Sequence, residues 1–366
     1  MYDIGRSKRA ARAFSLDDIA IIPSRRTRGP EQVDLSWKID AIKLDFPILA
    51  APMDSVMSPA TAIVFGKLGG LGVLNLEGLW TRYEDPQPLL DEIATLPNGS
   101  NTRLQEIYSA PIQPELIRAR MDEIRAAGVP VAGSLSPQNT QEFFSHVVAT
   151  QPDFFVIRGT AVSAEHVSDA VEPLNLKEFI HQIDTPVIVG GCANYLTAMH
   201  LMRTGAAGVL VGFGGGAAHS SREVLGIEVP MATAIADVAE ARRDYMDESG
   251  GRYVQVIADG SIGSSGDIAK AIACGADAVM VGSPLARASE APGKGWHWGA
   301  EAWHESLPRG SRVQFPQVGS LEEVMVGPSH TSDGTMNLVG ALRRAMATTG
   351  YTDVKSFQRI EIMVHS

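Results

Sequence analysis

Eight short apolar runs punctuate the chain, each followed by a turn and then by a segment with apolar residues three and four apart. They are Pro47–Ala51, Leu71–Asn75, Val129–Gly133, Phe154–Ile157, Pro186–Gly190, Val209–Gly212, Val254–Ala258 and Ala278–Gly282. A run that is apolar throughout, rather than at alternate positions, marks a strand buried on both faces, as in parallel sheet. The segments between them carry helical spacing, as at Leu116, Ile117, Met121 and Ile124, and several close on a glycine that takes the left-handed turn, as at Gly128, Gly205 and Gly275. Eight such alternations predict an α/β fold of one domain over residues 1–366, a closed (β/α)8 TIM barrel; an open doubly wound sheet is the alternative.

Three stretches stand outside the repeat. Residues 1–45 precede the first strand and are expected to cover the barrel base or wrap its side. The interval from Asn75 to Gly128 is long for one crossover, and Pro86, Pro88, Pro97 and Gly99 suggest a helix, a loop and a second helix. Residues 289–333, rich in Gly, Pro, Trp and His, read as a structured excursion over one face, and Thr335–Thr348 as a closing helix. Within the excursion Trp296, His297, Trp298, Trp303 and His304 form either an aromatic ligand wall or, more commonly for such clusters, a loop core or subunit contact.

Charge and cysteine content narrow the function classes. A net charge of -11 has the wrong sign for gripping nucleic-acid backbones. Two cysteines, Cys192 and Cys274, are too few for a disulfide framework or a metal cluster and fit a reducing compartment. No apolar run reaches membrane-spanning length, so a cytoplasmic protein without membrane or metal partners is expected.

In a barrel of this kind ligands sit at the C-terminal ends of the strands, with phosphates favouring the loops after strands seven and eight. Strand six runs into Gly212-Phe-Gly-Gly-Gly216, where glycines let the backbone approach a ligand closely, and His219 follows at the loop tip. Strand seven ends in Asp259, Gly260 and Ser261, followed by a helix start at Ser264–Ser265 whose N–H groups favour an anion. Strand eight ends in Gly282 and Ser283. These loops predict a phosphate-type site, against the simpler reading of helix caps and turns. Asp259 should face the mouth and accept from a ribose diol, the alternative being a structural pairing. Ser220 and Glu223 have the spacing of a capping box, so His219 alternatively sits beside a helix start with no chemical role.

Taken together, Leu16-Asp-Asp18, Ala50-Ala-Pro-Met-Asp-Ser-Val56, Gly69-Gly-Leu-Gly72, the loop at 212–222, Ala258-Asp-Gly260, Ser265-Gly-Asp-Ile268, Gly275-Ala-Asp-Ala-Val-Met280, Gly282-Ser283 and Gly319-Ser-Leu321 resemble the IMP dehydrogenase and GMP reductase family in its short form. The likeness runs nearly end to end, and the interval 75–128 is too short for the CBS module of longer members. It implies an NAD-linked oxidoreductase of purine nucleotide metabolism, tetrameric by analogy, holding IMP, GMP or XMP. By the same resemblance Met53, Gly319 and Ser320 join the nucleotide contacts, Gly214 and Gly216 supply loop backbone, and Arg158 takes a cofactor-side position that the family gives to aspartate. Arg158 meets a second phosphate or forms a salt bridge.

His219 falls where the family carries the cysteine that adds to the purine. Ala217 and Phe315 replace two hydroxyl donors, and the interval 322–335, where the resemblance places a mobile Arg-Tyr flap, contains neither residue. Ordinary IMP oxidation is therefore not expected, and a catalytically inactive nucleotide-binding or regulatory protein is the alternative.

Overall fold

The computed structural model describes residues 1–159, 161–167, 173–213, 215–303 and 310–365. All eight apolar runs become parallel strands: β1 (Ile48–Ala50), β2 (Leu71–Asn75), β3 (Ala132–Leu135), β4 (Phe154–Arg158), β5 (Val187–Cys192), β6 (Gly208–Val211), β7 (Gln255–Asp259) and β8 (Ala278–Val281). They close into one barrel, with Ala50 of β1 registered against Gly72 of β2 on one side and Val281 of β8 on the other. Closure excludes the open sheet. It also explains the unbroken hydrophobicity, since Ile48, Leu49, Leu71, Ile188, Leu210 and Ile257 are all fully buried between helices outside and packed side chains inside.

The third strand starts three residues later than its apolar run suggests. Pro130 has no N–H to give a ladder, and the N–H of Val131 is taken by the Asp153 side chain at 2.7 Å, so pairing begins at Ala132.

The outlying stretches are more structured than expected. A hairpin, Trp37–Ile39 with Ile42–Leu44, closes the base, where Trp37 Nε1 donates to Gln255 Oε1 at 3.0 Å at the start of β7. Ile19–Ile21 runs up the side in an antiparallel ribbon with Ile362–Val364. The long interval holds four helices rather than two: Leu79–Arg82, Gln87–Thr95, Asn101–Tyr108 and Pro114–Ala126. Pro88 and Pro114 lie in first turns, where a missing N–H costs nothing, so they open helices instead of breaking them. The closing helix is Leu338–Thr348, starting three residues late because the Asn337 side chain caps it by accepting from Gly340 N–H at 3.1 Å.

The excursion from Ser289 folds over the mouth with a short strand pair, Trp296–His297 with Val313–Gln314, and a 3-10 turn at Ala300–Trp303. Trp298 is buried in a second hydrophobic cluster with Leu79, Leu90, Ile93, Ile107 and Tyr108, and the Trp303 ring stacks on Tyr108 at 4.7 Å. Trp298 thus belongs to a loop core, whereas His297 and Trp303 also line the cavity at the mouth; His304 lies outside the described residues.

Strand six is forced against strand seven at its upper end. A Cβ on Gly212 would stand 1.9 Å from the Asp259 carbonyl oxygen. Gly212→Ala is expected to lower stability by about 1–3 kcal/mol through overpacking, read as a lower urea midpoint with an unchanged slope.

Candidate functional site

The strand ends open into one cavity of about 930 Å³ lined from β1 to β8 and roofed by the excursion. Arg158, the last residue of β4, reaches across the mouth to Asp259, the last residue of β7. Its Nε donates to Oδ2 at 2.8 Å and its Nη2 to Oδ1 at 3.4 Å. Burial works against the guanidinium charge, but the attraction and hydrogen bonding of Asp259, helped by Glu301, more than offset it and raise the Arg158 pKa. Of the two readings of each residue, the structural pairing is the one present, and it lies within the mouth rather than on the surface.

The loop after β6 is pinned from three sides. The Ser261 hydroxyl donates to the Gly215 carbonyl at 2.6 Å, with Ser261 in the left-handed region at φ +55°. His219 N–H donates to the Gly216 carbonyl at 3.0 Å, and Ser311 N–H to the Ala218 carbonyl at 3.1 Å. Gly214 lies outside the described residues. These ties override the capping-box spacing: Ser220 has φ -125° and ψ 21° and makes no side-chain cap to the short helix Ser221–Leu225. The imidazole instead turns inward, and its Nδ1 pairs with the buried carboxylate of Glu301.

Several donors at the helix start after β7 are engaged within the protein. Ser264 and Asp267 cap it reciprocally, with the Asp267 carboxylate accepting from the N–H groups of Gly263 at 3.1 Å and Ser264 at 3.0 Å, while Ser265 N–H donates to the Gly334 carbonyl at 2.8 Å. The N–H groups of Gly263, Ser264 and Ser265 are therefore engaged within the protein. What remains at the mouth is loop backbone at Gly215, Gly216, Gly260 and Ser261, with Gly282 and Ser283 after β8 and Met53 after β1, all lining the cavity. Gly319 and Ser320 do not line it. Ser320 caps the helix Leu321–Val326 in a box with Glu323, and the Gly319 carbonyl accepts from Ser289 N–H.

Sequence reasoning missed Glu301 altogether, because a carboxylate in an aperiodic segment, 82 positions from its partner histidine (301 minus 219), carries no spacing signal. It also missed Glu77, which accepts from the backbone N–H of Ser136 at 2.8 Å and its hydroxyl at 3.0 Å and from the Asn139 side chain. His297 is buried beside Ser55, with its Nδ1 3.3 Å from Oγ. Burial, then repulsion from His219 and Arg158, push its pKa down to about 3, so it is neutral at ordinary pH. The adjoining Asp54 is buried too, and its pKa is pushed up to about 6 despite accepting from Tyr108 Oη at 2.7 Å and Leu79 N–H at 3.0 Å. Neither cysteine lines the cavity. Burial drives both thiols up to about 12, and Cys192 Sγ donates to the Leu210 carbonyl at 3.4 Å. Among the described residues there is no metal-binding cluster and no helix long and apolar enough to cross a membrane.

Residues 13–366 match the IMP dehydrogenase / GMP reductase domain, and the chain belongs to that family. It is 50% identical to an uncharacterized oxidoreductase of Mycolicibacterium smegmatis and 51% identical to one of Mycobacterium tuberculosis, covering 100% of both chains in each case. An inosine-5'-monophosphate dehydrogenase of Methanocaldococcus jannaschii is 26% identical, over 95% of this chain and 92% of that one. The crystal structure of an IMP dehydrogenase/GMP reductase-like protein from Corynebacterium glutamicum superposes with a TM-score of 0.95 at 49% identity, over 100% of this chain and 97% of that one.

Asp54 and His297 carry opposite pH dependences. The raised pKa of Asp54 gives stability that is full below about pH 4 and lost as pH rises through about 6. The depressed pKa of His297 gives stability that is full above about pH 6.5 and lost as pH falls toward 3. Between pH 4 and 6 the two slopes oppose, each by up to about 1.4 kcal/mol per unit. Relative to the parent, Asp54→Asn should gain stability as pH rises across this window and His297→Asn should lose it, measured by urea unfolding at several pH values.

Proposed function

We propose that this protein binds a purine nucleoside monophosphate at the C-terminal mouth of the barrel and does not oxidise IMP through a covalent thiol adduct. The observation that carries this is one cavity onto which the glycine and serine loops after β6, β7 and β8 converge, while its lining has His219 at the thiol position and, among the described residues, no cysteine. Backbone N–H groups need no particular side chain to hold a phosphate, so a nucleotide contact persists where the side-chain donors at Ala217 and Phe315 are gone. Met53 and the Gly282–Ser283 turn supply the floor for the base and phosphate.

The family relationship brings NAD with it, but the residues here do not fit that cofactor well. A ribose diol's hydroxyl protons find no acceptor in Arg158, which offers only donors and has Nε and Nη2 engaged by Asp259. The interval 322–335 has neither Arg nor Tyr to activate water. The same features favour a second reading, a nucleotide-binding regulatory protein on an oxidoreductase barrel, assembling as the tetramer suggested by family analogy.

Calorimetry with IMP, XMP, GMP and AMP, alongside NADH absorbance with IMP and NAD, tests the proposal. The expected outcome is binding of at least one purine monophosphate, at least about tenfold weaker binding of the corresponding nucleoside, and no NADH. Equal affinity for inosine and IMP, or steady NADH formation blocked by a thiol alkylator, would overturn it. Ser261→Ala should weaken monophosphate binding by roughly threefold to tenfold, since the hydroxyl ties the two phosphate-facing loops together.

A further inference from the structure

Two of the short sheets outside the barrel are left uncovered. The first is the ribbon of Ile19–Ile21 with Ile362–Val364, whose late strand is 41, 51 and 50% exposed at Ile362, Met363 and Val364. Successive residues of a strand point to opposite faces, so exposure of all three leaves both faces of this strand open. Among the described residues its outer edge pairs with no further strand, and neither a proline nor a charged residue within the strand blunts that edge. The second is a hairpin at the head of the N-terminal arm, Tyr2–Ile4 with Lys8–Ala10, with Gly5 at φ +67° in its turn. Tyr2 is 56% and Ile4 63% exposed, and the ion pair across the hairpin, Arg9 Nε to Asp3 Oδ1 at 3.1 Å, stands in solvent where it adds little. A two-stranded hairpin with no covered apolar face is marginal in water.

The arm is fixed at its foot. Phe14 N–H donates to Thr233 Oγ1 at 2.8 Å, and the Arg12 guanidinium lies over the Phe14 ring, 5.0 Å from its centroid. Above the foot Arg6, Lys8 and Arg9 are all exposed. Four basic residues against one acidic give residues 1–13 a net charge of +3, which leaves -14 on the remainder of a chain whose total is -11. The ribbon carries the opposite sign, with exposed Asp17 and Asp18 at one end and exposed Glu361 at the other. Within one chain the hairpin and the ribbon are separate sheets, so each offers what the other lacks only to another molecule.

We infer that the N-terminal hairpin of one copy of this chain docks on the free edge of the Ile362–Val364 strand of a second copy, and that the exchange is reciprocal about a two-fold axis. Main-chain pairing along the open edge supplies the contact, and the exposed apolar side chains of both strands are covered by it. A membrane or a nucleic acid would meet the same basic, apolar arm, but the negative charge of the remaining chain opposes its approach, whereas a second copy brings that charge as an attraction. Reciprocity answers to size as well. One three-residue strand pair lies far below the roughly 1,000 Å² of a stable interface, and a two-fold axis doubles the contact and brings in the surface between the two arms.

The test uses two full-length variants, Ile4→Cys and Met363→Cys, one of them enlarged by a tag. They are mixed and treated with a short bis-maleimide, which tolerates a register shift that a disulfide would not. Both positions are more than half exposed, so neither variant should shift the urea midpoint, and the native thiols are shielded, Cys192 being buried and Cys274 half-buried. The mixture should give the cross-linked pair of unequal chains, at least about tenfold more abundant than when either variant is mixed with the parent. Adding Arg6→Glu and Lys8→Glu to the Ile4→Cys chain should cut that yield about threefold or more, as should about 0.5 M salt. A chain carrying both cysteines should join into pairs. Absence of the unequal pair, or a doubly substituted chain that bridges within itself and stays a monomer, overturns the inference. Flotation of a monomeric parent with vesicles of anionic phospholipid, abolished by Arg6→Glu with Lys8→Glu, also overturns it and makes lipid the occupant of the arm.

Discussion

Glu301 can stand over His219 only because Trp298 and Trp303 are seated against the helices between β2 and β3. Tyr108, on one of those helices, stacks on Trp303 and accepts from Trp298 Nε1 at 2.8 Å, while its own hydroxyl donates to Asp54. Burying such aromatic surface is worth several kcal/mol at the usual transfer coefficient of about 25 cal/mol per Å². That energy holds an otherwise irregular segment in place and carries a carboxylate and a neutral imidazole into the barrel mouth.

The mouth is organised by pairing. Arg158 meets Asp259, His219 meets Glu301, and Glu77 is occupied by Ser136 and Asn139. On the proposed reading, Arg158 is already committed to Asp259, and the turns after β6, β7 and β8 supply much of an anion's recognition through peptide dipoles. Such a site is sensitive to backbone placement more than to the identity of any one side chain. The close contact of Gly212 with β7 and the Ser261 bridge to Gly215 both serve that placement.

The barrel is legible in the sequence because burial on both faces writes itself as an unbroken apolar run, and eight such runs leave little choice of architecture. The departures are local contests. Pro130 and Asp153 delay β3, and prolines that open helices in the long interval look, in sequence, like breaks between them. At the site the glycine loops are legible because close backbone approach demands a particular residue. Partnership is not. The Ser220 and Glu223 spacing matches a capping box, but the chain there answers to Gly310, Ser311 and Glu301, which no local pattern reports. Asp259 falls at the mouth as its strand position implies, whereas its pairing with Arg158, 101 positions away, depends on barrel closure.

The ribbon of Ile19–Ile21 and Ile362–Val364 joins an early and a late segment of the chain in one element. Just before it, the Leu16 carbonyl accepts from Lys270 Nζ at 2.8 Å, on the helix that follows β7, and Asp17 reaches the cavity rim. The last described residues are thus mechanically continuous with the entrance: His365 N–H donates to the Asp18 carbonyl, one residue from the rim. In this architecture the late strand is tied to the Leu16–Asp18 turn at the rim even though its own side chains lie away from the cavity.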